Sequence, residues 1–357
     1  MLSLSTASND LRRIREDAER MYLMTLLLSV AITGQRSPLP WQDPSPHRVQ
    51  FVMVDKDVRL EVLDWGGVGQ PVVLLAGLGN TAHVFDDFAP KLTKTNRVYG
   101  ITRRGYGMSS HPDAGYNGQR LADDVLRVLE TLKLVSPVLA GHSIAEEELT
   151  AIGAQHSDRI GGLIYLDALS DPTMDRSEYL ALYQKLPPLR NPPPRPPRGE
   201  THPTFQAYLD WQKRANDFTY PEGELRNIYL STSDGRMSYF RTPGQVNDTI
   251  RAQALKPDYT KIRVPVLALN QGSPTIQKRL SEYVLASDQD RLTVERYFAL
   301  EQSYTTKFIA DLKSAVPDAH VIELSKPNHF IFLADQARVL QEMQSFLTSL
   351  HSRQRSE

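Results

Sequence analysis

Cysteine is absent from the 357 residues, which removes disulfides, thiolate nucleophiles and cysteine-ligated zinc or iron-sulfur centres from consideration. An excess of charge of one sign is lacking too. The 41 Lys and Arg against 42 Asp and Glu leave a net charge of -1, so nothing in bulk attracts nucleic acid or an anionic membrane. No internal repeat is present. Hydrophobic residues make up 40% and charged residues 23%, the proportions of a globular chain long enough for one large core or a core with an insertion.

One apolar run stands apart, "MYLMTLLLSVAITGQ" (Met21–Gln35). It has the length of a signal-peptide apolar region and is short for a bilayer span, and Ser29 and Ala31 offer small residues to a signal peptidase. The flank before it is not positive: Arg12, Arg13, Arg15 and Arg20 are balanced by Asp10, Glu16, Asp17 and Glu19. Residues 1–45 are therefore expected to be a signal-like or anchoring segment, with export to the periplasm or the exterior if it is a signal peptide and a cytoplasmic location otherwise. No other stable membrane span is expected.

Beyond the proline-rich entry "SPLPWQDPSPH", "HRVQFVMV" and "VRLEVLDWG" alternate apolar and polar residues, as a half-exposed antiparallel pair does. The pattern then changes to short, nearly continuous apolar runs: "PVVLLAG", "RVYGIT", "PVLAG", "GGLIYLD", "VPVLALN" and "HVIEL". Such runs belong to parallel strands covered on both faces. Amphipathic stretches lie between most of them, among them "NGQRLADDVLRVLETLKL", "AEEELTAIGAQH" and "DQARVLQEMQSFLTSL". Strands alternating with helices imply an α/β protein with a doubly wound sheet. Nearly a hundred residues between Asp167 and Val264 break the rhythm. They hold the helical "PTFQAYLDWQKRAND" and eight prolines between Pro187 and Pro203, a run that can be neither helix nor central strand. The sequence is thus divided into a first core part (46–169), a helical cap with a proline-rich connector (170–258) and a second core part (259–357), with a further flanking helical segment between Pro274 and Ala315.

The chemistry concentrates at "PVLAGHSIAEEE", where an apolar strand meets a helix at Gly141-His142-Ser143-Ile144-Ala145. Small residues around Ser143 let a sharp turn close, which lifts the hydroxyl out of the sheet at the carboxyl ends of its strands and sets it against a helix N-terminus. A helix N-cap serine is the plain alternative. A nucleophilic serine requires a base and an oxyanion site. The turn Gly77-Leu78-Gly79-Asn80 ends an earlier strand, and its Leu78 N–H with that of Ile144 can form the oxyanion hole. Of nine histidines, His329 sits in "SKPNHFIFL", between a last strand and a final helix, where a base would be needed. Gly77, Gly79, Asn80, His83 and His142 lie beside these elements and are expected around the substrate, although the sequence direction turns His142 away from the pocket.

The order "LLAGLGNTAHVFDDFAP", "YGITRRGYGMSS", "GHSIA", "LIYLDA" and "NHFIFL" resembles the α/β-hydrolase superfamily, in particular its capped serine esterases, over roughly residues 48–350. The resemblance implies an α/β-hydrolase fold: a mostly parallel eight-stranded sheet with helices on both faces and an inserted helical cap. Arg103 stands where an Asp is frequent. The catalytic acid of most relatives follows the strand after the cap, yet "VPVLALNQGSPTIQ" offers no carboxylate there. Asp167 ends the preceding strand, a place some relatives use, and is assigned as the acid, with Asp171 as a weaker alternative. The implied activity is cofactor-free and metal-free hydrolysis of a small-molecule carboxylic ester by a Ser143–His329–Asp167 triad. Perhydrolysis or acyl transfer by the same triad, and a non-catalytic receptor on the same fold, are the alternatives. Tyr179, Tyr183, Phe205, Tyr208, Trp211, Phe218 and Tyr220 of the cap suggest an apolar wall and an ester with an apolar part. Glu146, directly after Ala145, is expected to be partly exposed. The oligomeric state is open.

Overall fold

The computed structural model of the protein describes residues 41–195, 203–216 and 218–354. The chain divides into two compact units, Met1–Pro44 and Ser45–Glu357. Of the first, only residues 41–44 are described, so the expected signal-like segment lies outside the described residues. Among the described residues no helix is long and apolar enough to cross a membrane.

The second unit is built on one eight-stranded sheet. Strands β1 (Arg48–Asp55) and β2 (Val58–Gly66) form the antiparallel pair that their alternation predicts, with Val52 opposite Leu60 and Gln50 opposite Val62. The apolar runs become β3 (Pro71–Leu75), β4 (Arg97–Ile101), β5 (Val138–His142) and β6 (Gly162–Leu166). Two helices join them, α1 (Gly118–Thr131) before β5 and α2 (Glu146–Gln155) after it. The Asn117 side chain accepts from Arg120 N and so caps α1.

Between β6 and the next strand of this sheet lie α3 (Ser177–Tyr183), α4 (Phe205–Ala215), α5 (Glu222–Ile228), the hairpin β7 (Tyr229–Ser231) and β8 (Met237–Phe240), and α6 (Gly244–Ala252). The described part of the proline-rich run is held rather than free. Leu189 bridges Tyr283, and Arg190 N donates to Glu282 O at 2.7 Å; the rest of the run, 196–202, lies outside the described residues. The sheet resumes with β9 (Val266–Asn270), then α7 (Ile276–Ser281), the 28-residue α8 (Asp288–Ala315), β10 (His320–Glu323), the short α9 (Ile331–Ala334) and α10 (Gln336–Gln354).

Strand order is β1-β2-β4-β3-β5-β6-β9-β10. From β4 onward every pairing is parallel, and β2 meets β4 antiparallel. Successive side chains of each central strand enter opposite layers. Val73, Leu139 and Leu163 face Val125, Leu129, Leu149 and Ile152 of α1 and α2, whereas Val72, Leu74, Val138 and Ile164 face Phe85, Phe88, Phe332 and Met343. Fully burying such side chains contributes roughly 1.5–3 kcal/mol each, which is why the runs read as continuous. This two-sided burial leaves the carboxyl ends of β3, β5, β6 and β9 at one rim.

Candidate active site

Ser143 sits at the carboxyl end of β5 with φ +56°, a left-handed conformation that costs a non-glycine residue energy and marks a turn held by its surroundings. The tight packing under the turn explains its small residues. A Cβ added to Gly141 would lie 2.9 Å from Ala145 Cβ and 2.9 Å from Leu149 Cδ1. Asp167, at the end of β6, is also left-handed (φ +48°), and its N–H donates to Leu269 O at 2.7 Å.

The carboxylate of Asp167 is fixed from two sides. Oδ1 accepts from Gln271 N at 2.8 Å, and Oδ2 accepts from Gln271 Nε2 at 3.0 Å and lies 2.6 Å from His329 Nδ1. With Nδ1 as donor to the carboxylate, Nε2 is left as the acceptor. The His329 ring is 45% exposed and borders a cavity of about 750 Å³ together with Ser143, Asp167, Leu78 and Ile144. Among the described residues His329 has Asp167 as its side-chain partner, and no hydrogen bond joins its ring to Ser143 Oγ, which borders the same cavity.

His142 is buried, and its Nε2 donates to His329 O at 3.0 Å, with the two rings 4.5 Å apart. Burial, then the neighbouring His329, pushes its pKa down to about 3, so it stays neutral and braces the loop that carries His329. Gly77 makes room for it: a Cβ there would lie 2.7 Å from His142 Nδ1. Gly79 has φ +83° and supplies the turn that brings Leu78 to the cavity.

Gly77, Gly79, Asn80, His83 and His142, expected around the substrate, are not among the residues lining this cavity. His83 is carried inward by the single turn Ala82–Phe85, where Nδ1 lies 3.1 Å from Asp86 Oδ2 and Nε2 lies 3.6 Å from Glu61 Oε1. Asn80 instead donates from Nδ2 to Glu224 Oε1 at 2.8 Å, and Thr81 donates to the same carboxyl from N at 3.0 Å and from its hydroxyl. Glu224 is a residue that sequence reasoning missed. It lies on α5, is fully buried, and clamps the turn after β3; burial pushes its pKa up to about 7.

Two further expectations change. Glu146 is 1% exposed rather than partly exposed, because the Tyr259 hydroxyl donates to its Oε1 at 2.7 Å and the Ser170 hydroxyl to its Oε2 at 3.1 Å. Burial pushes its pKa up to about 8, so at pH 7 it is mostly the neutral acid and places little negative charge beside the elbow. Of the insertion's aromatic residues, only Tyr179 borders the cavity. Phe205 is buried with Leu225, Ile228 and Met237, Tyr208 and Tyr220 pack against that group, and Phe218 stacks near Phe330 at 5.1 Å. Arg103 is buried and paired, its Nε donating to Glu148 Oε1 at 2.6 Å and its Nη2 to Ala76 O at 3.1 Å. It ties the turn after β4 to α2, which begins directly after the Ser143 turn.

Fold and site geometry together define a class. Residues 72–342 match the model of the alpha/beta hydrolase family, and the chain belongs to that family. It is 32% identical over 131 residues to the AB hydrolase superfamily protein YisY of Bacillus subtilis, a match covering 36% of this chain and 48% of that protein. It is 25% identical over 101 residues to the 2-(acetamidomethylene)succinate hydrolase of Mesorhizobium japonicum, covering 28% and 36%. These matches span half or less of the relatives' length. Among solved structures, an E-2-(acetamidomethylene)succinate hydrolase superposes with a TM-score of 0.61 at 18% identity, covering 85% of this chain and 99% of that one. The thioesterase domain from the curacin biosynthetic pathway superposes with a TM-score of 0.57 at 16% identity, covering 84% and 99%. At these identities the superpositions speak for the fold alone.

Proposed function

We propose that the protein hydrolyses a small-molecule carboxylic ester through Ser143, His329 and Asp167, with residues 170–258 acting as the cap over the cavity. The observation that carries this reading is the 2.6 Å contact between Asp167 Oδ2 and His329 Nδ1 at the rim of the cavity that Ser143 borders. A carboxylate on Nδ1 fixes the tautomer that leaves Nε2 free to accept a proton, and it stabilises the imidazolium formed when that proton arrives.

In this mechanism Ser143 Oγ attacks the ester carbonyl carbon while its proton passes to His329 Nε2. The carbonyl π-electrons move onto oxygen, and the N–H groups of Leu78 and Ile144 hold the resulting oxyanion. Ile144 lies in the single turn Ser143–Ala145 that leads into α2, where N–H groups at a helix start lack intrahelical acceptors. Collapse of the tetrahedral species breaks the bond to the alcohol oxygen, which takes the proton from Nε2. Water then gives a proton to Nε2 as its oxygen attacks the acyl carbon, and a second collapse frees the acid and returns the proton to Ser143. The curated relatives by their names include hydrolases, among them a 2-(acetamidomethylene)succinate hydrolase and an sn-1-specific diacylglycerol lipase of Xenopus tropicalis, which supports hydrolysis and leaves the ester itself to experiment.

A 4-nitrophenyl ester series from acetate to octanoate tests the proposal. Hydrolysis above buffer is expected for at least one chain length, lost with Ser143→Ala and reduced about 10³-fold or more with Asp167→Asn. Binding of a small molecule without turnover, unaffected by Ser143→Ala, would replace the hydrolase with a receptor. An unimpaired Asp167→Asn would move the acid elsewhere.

A further inference from the structure

The cavity that Ser143 borders holds more charge than the expected apolar wall, and the charges are unevenly matched. Three carboxylates line it, and each is already engaged. Asp167 holds His329 and Gln271, while Glu282 and Glu301 accept from Arg279 at 3.2 Å and 3.0 Å. Two further arginines line the same cavity. Arg176 pairs with no carboxylate among the described residues, and its Nε is buried with no hydrogen-bond partner. Arg251, on α6, has Asp248 as its one ion-pair partner among the described residues, at 3.9 Å, and both of those side chains are largely exposed.

Arg176 is not a loose surface residue. It immediately precedes α3, and Leu180 N donates to its carbonyl at 2.9 Å. That helix is fixed to α8 by Tyr179, whose ring stacks on Tyr297 at 4.8 Å and whose hydroxyl bonds Tyr297's at 2.6 Å. The backbone from which the side chain springs is therefore held in place, while among the described residues the buried Nε has no acceptor. A guanidinium whose Nε is cut off from water costs free energy until an anion meets it, and its planar fork matches a carboxylate in bidentate geometry.

We infer that Arg176 is the anchor for a free carboxylate on the substrate, with Arg251 adding positive potential at the cavity wall, so that the substrate class is acyl esters that also carry a carboxylate. The inference rests on the hydrolase reading of the same cavity and deepens it. Hydrolysis then takes place on an anionic molecule held at one end by Arg176 while its ester carbonyl lies at Ser143.

Matched pairs of esters test this. In the first, mono-4-nitrophenyl succinate and glutarate are compared with 4-nitrophenyl butyrate and valerate, which places the carboxylate on the acyl part. In the second, 4-acetoxybenzoic acid is compared with 4-methylphenyl acetate, which places it on the alcohol part. In at least one pair the wild type is expected to favour the acid by about tenfold or more in kcat/KM, the scale of a charge-assisted hydrogen bond. Arg176→Gln should collapse that ratio, chiefly through KM, and Arg176→Lys should retain part of it. Because the ratio compares two substrates on one protein sample, partial loss of fold does not move it. Turnover of both members of each pair with ratios that Arg176→Gln leaves within about twofold removes the inference and leaves the hydrolase standing. Turnover of none of the six esters and of no member of the acetate-to-octanoate series removes the hydrolase reading and this inference with it.

Discussion

Glu224 ties the insertion to the turn that presents Leu78, and its titration gives a test that reads the buried contact directly. Its carboxyl is fully buried and takes the Asn80 amide and the Thr81 amide and hydroxyl. Burial raises its pKa from 4.5 to about 7 despite those donors. A raised folded-state pKa means that the native protein binds this proton more tightly than the unfolded chain, so the stability linked to it is full below pH 4.5 and is lost as pH rises through 7. Between pH 5.5 and pH 8 the linkage amounts to about 2 kcal/mol. Glu224→Gln keeps an acceptor for Asn80 and Thr81 but has no proton to lose. Urea unfolding at both pH values should therefore show the stability difference between pH 5.5 and pH 8 shrinking by about 2 kcal/mol in the variant. Equal differences in the two proteins would show that the carboxyl is not buried as described, and the clamp on the turn would fall with it.

Glu146, with its pKa pushed up to about 8, adds to the same trend, whereas His142, held neutral with a pKa near 3, acts oppositely by losing stability as pH falls below 6.5; two raised carboxyls outweigh one depressed imidazole, so chemical denaturation should find stability falling steadily from about pH 5 to pH 8, and stability rising over that range would contradict these burials. Glu148→Gln strips the buried Arg103 of its charge partner and should cost about 3–5 kcal/mol by denaturant titration, with the paired change Arg103→Met and Glu148→Leu recovering most of it. Gly77→Ala drives a Cβ into His142, which cannot yield because it is bonded to His329 O and packed on Phe332; kcat for the best ester should fall about 10²-fold, and an unchanged kcat would uncouple His142 from the His329 loop. Glu224→Ala should lower kcat more than it raises KM, because the turn rather than the cavity wall loses its support.

Much of the frame could be read from the residues. The six apolar runs became β3–β6, β9 and β10; the central ones read as continuous because strands covered on both faces have no polar positions to interrupt them, whereas β10, at the sheet edge, leaves His320 and Glu323 exposed. "GHSIA" became a left-handed serine between strand and helix because only small neighbours fit under that turn. What escaped depends on partners remote in sequence. The burial of Glu146 is made by Ser170 and Tyr259, 24 and 113 residues away, and Glu224 meets Asn80 across 144 residues. Neither separation leaves a periodic mark. His83 was misplaced because chain proximity to the turn suggested the pocket, whereas one helical turn points its ring toward Asp86 and Glu61. The insertion's aromatic residues signal apolar burial, but composition does not say against what, and most of them pack on one another.

Acylation of Ser143 is the central step of the proposed hydrolysis. Reaction with an alkyl fluorophosphonate followed by peptide mass spectrometry addresses that directly. A single phosphonyl adduct on Ser143 is predicted, absent from Ser143→Ala and formed far more slowly by His329→Ala. An adduct on another residue, or labelling that persists undiminished in Ser143→Ala, would contradict it.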